Sequence, residues 1–137
     1  MAGPYHACVP PIDQLQRVTL IHLERLQRQG IFTTGLLLEV SETRTRRQYL
    51  ADQLDATTND VNEWRDEALL LNLASFGEIE HQIFTQARIM GLEDLIQLDR
   101  DSLADRLARA ARDLGVQPPP DRVIDGWHEQ ARTLEEE

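Results

Sequence analysis

Lysine is absent from this chain: all 14 basic residues are arginine. That removes the amine of Schiff-base chemistry and the lysine of a phosphate-cradling P-loop. Cys8 is the single cysteine, so neither an intrachain disulfide nor a cysteine-cluster metal site can form. No apolar run reaches the roughly 18 residues that a membrane-spanning helix needs. The opening MAGPYHACVPP lacks a basic start followed by an apolar stretch, so no secretory signal is expected and the reading is cytoplasmic. Strand-like alternation of apolar and polar residues is missing too, which argues against a sheet. Aromatic residues make up only 5% of the chain, so its two tryptophans weigh heavily in any core.

What is present is acidic and moderately apolar. The formal net charge is −10 and apolar residues make up 41% of the 137. That composition supports a packed core, in one compact domain or two very small fused ones. The negative excess opposes contact with phosphate backbones and anionic lipid.

The apolar spacing predicts helices throughout. Pro10 and Pro11 close a loose arm over residues 1–11, and a helix is expected from Ile12 through Leu15, Val18, Leu20, Ile21, Leu23 and Leu26 to a stop at Gly30. Thr33 or Thr34 caps a short helix with Leu36–Leu38. Ser41 caps the next, through Leu50 and Leu54, and Thr57 or Thr58 opens one holding Trp64. The second half reads in the same order. A helix spans about Glu78 to Met90 and ends at Gly91. A short one follows through Leu95 and Leu98, then one capped by Asp99 or Asp101 and closed by Gly115. The Trp127 helix runs to a frayed end at 135–137.

Val61, Trp64, Ala68 and Leu71 share one spacing with Ile124, Trp127, Ala131 and Leu134. Gly30-Ile31 is matched to Gly91-Leu92. Arg46, Leu50, Ala51 and Leu54 are matched to Arg106, Ala110, Ala111 and Leu114. Three matches in one order predict an internal duplication of about 60 residues. The repeats span 12–72 and 73–134, with each tryptophan a buried anchor.

The stretch LQRQGIFTTGLLLEV…RRQYLADQLDATTNDVNEW, followed by FGEIEHQIFTQARIMGLEDLIQLDRDSL, resembles a bacterial family frequent in cyanobacteria. It is the family of tandem helix-hairpin-helix-like domains labelled domain of unknown function four-three-three-two, and the likeness covers about residues 12–134. The resemblance implies an all-α fold of two stacked units of the kind found in DNA-repair and polymerase accessory domains. It implies no activity. Hairpins of this class that grip DNA use a Gly-aliphatic-Gly turn whose N–H groups approach a phosphate. Counting back from Gly30 and Gly91, the equivalent triplets here are Arg17-Val18-Thr19 and Glu78-Ile79-Glu80. The glycines are missing, and the second triplet puts two carboxylates where a phosphate would sit.

No paired catalytic carboxylates, Gly-rich phosphate loop or nucleophile motif stands out, so neither an enzyme nor a cofactor is expected. Glu78/His81 and Asp125/His128 have carboxylate-x-x-His spacing, but ordinary helix pairs explain it and no metal is expected. The densest positive cluster is Arg44, Arg46 and Arg47, with Arg17 a candidate neighbour. The reading is an all-α tandem helix-hairpin-helix-like protein that binds an unidentified protein partner. The candidate contacts are Arg17, Arg44, Arg46, Arg47, Glu78 and Glu80, together with the Phe32/Tyr49 neighbourhood. The rival reading is a nucleic-acid-binding domain of the same scaffold, which the charge disfavours. Oligomeric state is not encoded in any motif.

Overall fold

The structure is a computed structural model that describes residues 10–136. Cys8 and most of the expected N-terminal arm lie outside the described residues, as does position 137. Among the described residues there are eight α-helices and no strand. They fall into two compact units that meet in the chain between Asn72 and Leu73.

The first unit starts with a single 3-10 turn, Ile12–Gln14, and continues with α1 (Leu20–Arg28), α2 (Thr34–Val40), α3 (Arg44–Leu54) and α4 (Thr58–Leu71). Threonine sets most of the starts. The hydroxyls of Thr19, Thr33, Thr43 and Thr57 accept N–H bonds from the first turns of α1, α2, α3 and α4. At α4 the cap is reciprocal: Asp60 N–H donates to Thr57 Oγ1 and Thr57 N–H donates to the Asp60 carboxylate, both at 3.0 Å. Helices α2 and α3 pack on α4, and α1 packs on α3. Leu26, Leu37, Leu54, Val61 and Trp64 fill the centre. Beside this core, Pro11 and Thr33 form an isolated antiparallel bridge that ties the start of the unit to α2.

The second unit holds α5 (Glu78–Gln86), α6 (Leu92–Ile96), α7 (Arg100–Leu114) and α8 (Asp121–Glu136). Helix α5 packs on α7, and α6 and α7 pack on α8. Phe76, Phe84 and Trp127 meet edge to face, with centroids 4.9–5.7 Å apart, a favoured aromatic geometry. The Trp127 indole also donates to Ala74 O at 2.7 Å. Both tryptophans are buried, Trp64 at 2% exposure and Trp127 at 1%.

Several expected boundaries move. The long helix from Ile12 does not form, because the backbone is extended at Leu15 and the helix restarts at the Thr19 cap. Leu20 (84% exposed) and Ile21 therefore face solvent instead of extending the core stripe. Ser41 is not a helix start: it ends α2, buried, with its hydroxyl donating to Leu37 O, while Thr43 caps α3. Helix α5 stops at Gln86, four residues short of Met90. Its left-handed residue is Arg88 (φ 62°), after which Ile89 N–H donates to Phe84 O. After α1 the corresponding residue is Gly30 (φ 82°), and Ile31 N–H donates to Leu26 O. Gly30 and Arg88 each hold a left-handed turn after the first helix of their unit, while Gly91 has an extended backbone and starts α6 as Thr33 starts α2. Leu114 also departs from its expected partner, being exposed where Leu54 is fully buried.

Candidate interaction surface

Each sequence-predicted site residue can be placed. The triplet Arg17-Val18-Thr19 lies in the bend before α1, with Thr19 as the helix cap. The Arg17 guanidinium is committed to α4, 2.8 Å from Asp66 and 3.8 Å from Glu63. The backbone there is occupied as well. Gln16 N–H lies 2.9 and 2.8 Å from the two carboxylate oxygens of Glu67, and Arg17 N–H lies 2.9 Å from one of them. Glu67 is 1% exposed.

Arg44, Arg46 and Arg47 open α3, where positive charge opposes the helix dipole. The same position puts two of them at the C-terminal end of α2, where a cation is favoured. Arg47 donates to Ser41 O at 2.9 Å and to Glu42 O at 3.1 Å, and Arg46 reaches Glu39 O at the outer limit of 3.5 Å. Arg65, on α4, completes the cap by donating to Leu38 O at 2.9 Å and to Ser41 Oγ at 2.7 Å. Burial pushes the Arg65 guanidinium below its ordinary basicity, and the Arg47 charge adds to this while Glu42 offsets part of it. The cluster therefore closes the end of a seven-residue helix, and Arg44 stands exposed at its rim. Arginine serves likewise elsewhere: Arg25 donates to Leu54 O at the end of α3, and Arg106 donates to Ala87 O at the end of α5.

Glu78 and Glu80 lie in the first turn of α5, in the second unit, whereas the four candidate arginines lie in the first. Glu80 caps the helix through Gly77 N–H at 2.8 Å. Gly77 starts α5 as Thr19 starts α1, so Ser75, Phe76 and Gly77 precede the helix and Glu78-Ile79-Glu80 form its first turn. The two glutamates are capping-turn residues. The carboxylate-x-x-His pairs do not converge. The His81 ring lies tilted beside Phe76, Asp125 pairs with Arg100 at 2.6 Å, and His128 Nε2 lies 3.1 Å from Leu98 O. Among the described residues no group of three or more His, Cys, Asp or Glu could hold a metal.

The first unit does carry an apolar surface. Leu36 and Val40 are exposed along α2, Phe32 is exposed just before its Thr33 cap, and Tyr49 of α3 is 65% exposed. A groove of about 370 Å³ lies between Val40, Tyr49, Arg46, Gln29 and Gln53, floored by buried Ile31 and Leu50. No carboxylate lines it, in a chain with 24 acidic residues. The sequence pointed to Phe32, Tyr49 and Arg46 but missed Glu67 and Arg65. Glu67 had a readable signal, since it sits beside Trp64, Ala68 and Leu71 on the helix stripe that faces the core.

The architecture defines an all-α protein of two four-helix units with no membrane-spanning helix among the described residues. The family model described as Domain of unknown function (DUF4332) matches residues 17–134, and the chain belongs to that family. No curated protein and no solved structure matches it.

Proposed function

We propose that this chain is a non-enzymatic protein-interaction module, built as two tandem helix-hairpin-helix-like units. The tandem reading is supported by the common order of elements. Each unit runs from an N-capped first helix, through a left-handed turn and a short helix, to a longer helix ended by a left-handed residue (Asp55, Gly115) and a closing tryptophan helix. The observation that carries the interaction reading is the acid-free apolar groove beside Tyr49 and Val40, with Arg46 at its edge. Solvated apolar side chains in a contiguous patch mark surfaces that a partner covers. A guanidinium at the rim of an apolar floor suits a segment that presents a large apolar side chain next to a carboxylate.

The nucleic-acid alternative is weakened by the same first unit. The N–H groups of Gln16 and Arg17 already hold a carboxylate, and the Arg17 side chain is neutralised by Asp66. Two measurements test the reading. In low-salt fluorescence anisotropy, neither duplex nor single-stranded DNA binds at micromolar protein. Micromolar, salt-sensitive binding that weakens on Arg17→Glu or Arg46→Glu refutes it. In affinity capture from the native cell, a protein is retained by the wild type and lost by a folded Tyr49→Asp variant. Equal capture by both removes the groove from the site.

A further inference from the structure

The bend before α1 presents two consecutive backbone N–H groups to one buried carboxylate contributed from about 50 residues away. Neither Gln16 nor Arg17 belongs to a helix or a strand, so no carbonyl in a ladder satisfies these donors. Glu67 meets them with both oxygens at 2.8–2.9 Å, in a setting that is 1% exposed. The second unit handles the corresponding place with a weaker device. Gln130 lies three residues after Trp127, as Glu67 lies three after Trp64, and its neutral amide oxygen accepts one bond, from Ala74 N–H at 3.1 Å.

We infer that Gln16 and Arg17 form an oxyanion cradle of the first unit, which the chain fills with its own Glu67 carboxylate and which, when vacated, takes a small free monocarboxylate. Adjacent N–H groups that converge on one point make an anion-binding concavity. Hydrogen bonds to a charged acceptor are the strong ones. Truncation of Glu67 to alanine deletes Cγ, Cδ and both oxygens, and those four heavy atoms are the heavy atoms of acetate. The cradle offers two N–H donors that both oxygens of one carboxylate satisfy, so it matches a carboxylate better than a phosphate with its further oxygens. While Glu67 is in place, no external anion enters. The inference rests on this one side chain and stands or falls apart from the partner groove.

Acetate rescue of the full chain tests it. Glu67→Ala has a lower thermal midpoint than the wild type, and sodium acetate restores a large part of the loss. Sodium chloride at equal ionic strength does not. The wild type and Gln130→Ala show no acetate-specific gain. In the wild type, the Gln16 and Arg17 amides exchange with solvent as slowly as helical amides, although they lie outside any helix. Glu67→Gln speeds exchange at these two positions while α4 stays protected. Acetate no better than chloride overturns the cradle, as does random-coil exchange of the two amides in the wild type. Rescue by inorganic phosphate as strong as by acetate overturns its carboxylate selectivity. Should Glu67→Ala stay unfolded in every salt, unchanged Gln16 and Arg17 exchange in Glu67→Gln overturns it.

Discussion

Removal of the Arg65 guanidinium is the most direct test of how arginine is used in this protein. Its two bonds, to Leu38 O at 2.9 Å and Ser41 Oγ at 2.7 Å, close the end of α2. A hydrogen bond to a charged group nets about 1.5–3 kcal/mol, so two would give about 3–6 kcal/mol if fully additive and shielded. Neither condition holds. Arg65 is only half-buried, and the Ser41 hydroxyl keeps its own bond to Leu37 O after the substitution. The expected cost of Arg65→Ala is therefore about 2 kcal/mol. With a urea slope of 1–3 kcal/mol/M this lowers the urea midpoint by roughly 1 M with the slope unchanged. Arg65→Lys keeps the charge but offers no fork, and loses about half as much. The two arginines also repel each other, since the Arg47 charge helps to depress the basicity of Arg65. Each single substitution removes that repulsion, and the double variant removes it only once. Arg47→Ala/Arg65→Ala is thus destabilised by more than the sum of its parts. An Arg65→Ala chain within about 0.5 kcal/mol of the wild type would refute the argument, because water would then cap α2 as well as arginine does.

Acid should loosen the helix starts. The Thr57 backbone N–H holds the Asp60 carboxyl below its ordinary 3.8, and the Ser102 backbone N–H does the same for Asp99. A depressed folded pKa means stability that is whole above about pH 3.8 and is lost as pH falls through the lower folded value. Asp60→Asn and Asp99→Asn, followed by circular dichroism, should flatten that acid limb. An acid limb identical to the wild type would exclude the caps as its source. Arg88 holds φ 62° without a glycine. Arg88→Gly should raise the urea-derived stability by about 0.5–1 kcal/mol, while Gly30→Ala should lower it by about 1 kcal/mol. A neutral or destabilising Arg88→Gly would contradict the strained left-handed turn at Arg88.

Helix content, the chain position of each tryptophan and most caps were legible because they depend on local chemistry. Thr33, Thr57 and Asp99 are each one of the two caps that residue type offered, and Gly115 ends its helix where expected. The misreadings share a cause: partners distant in sequence. The helix expected from Ile12 fails where Glu67 takes the N–H groups of Gln16 and Arg17, an acceptor that no local window contains. Ser41 resembles a helix cap and is instead held under Arg65 of α4. The early end of α5 has a local cause instead: Arg88 takes a left-handed turn, which glycine usually marks, so residue type gave no stop signal there. The arginine cluster was visible in sequence, but its work on the carbonyls of α2 was not. The groove became apparent only when α2 and α3 placed Val40 beside Tyr49.

The burial of one indole within each unit gives the molecule two built-in fluorophores and no others of their kind. Trp64→Phe leaves an emission signal from the second unit alone, and Trp127→Phe leaves one from the first. Denaturation curves recorded on the two single-indole chains can be overlaid. Within each chain, an indole midpoint that coincides with the loss of helical circular dichroism would mean that the halves melt cooperatively, and one that departs from it would mean that they melt apart.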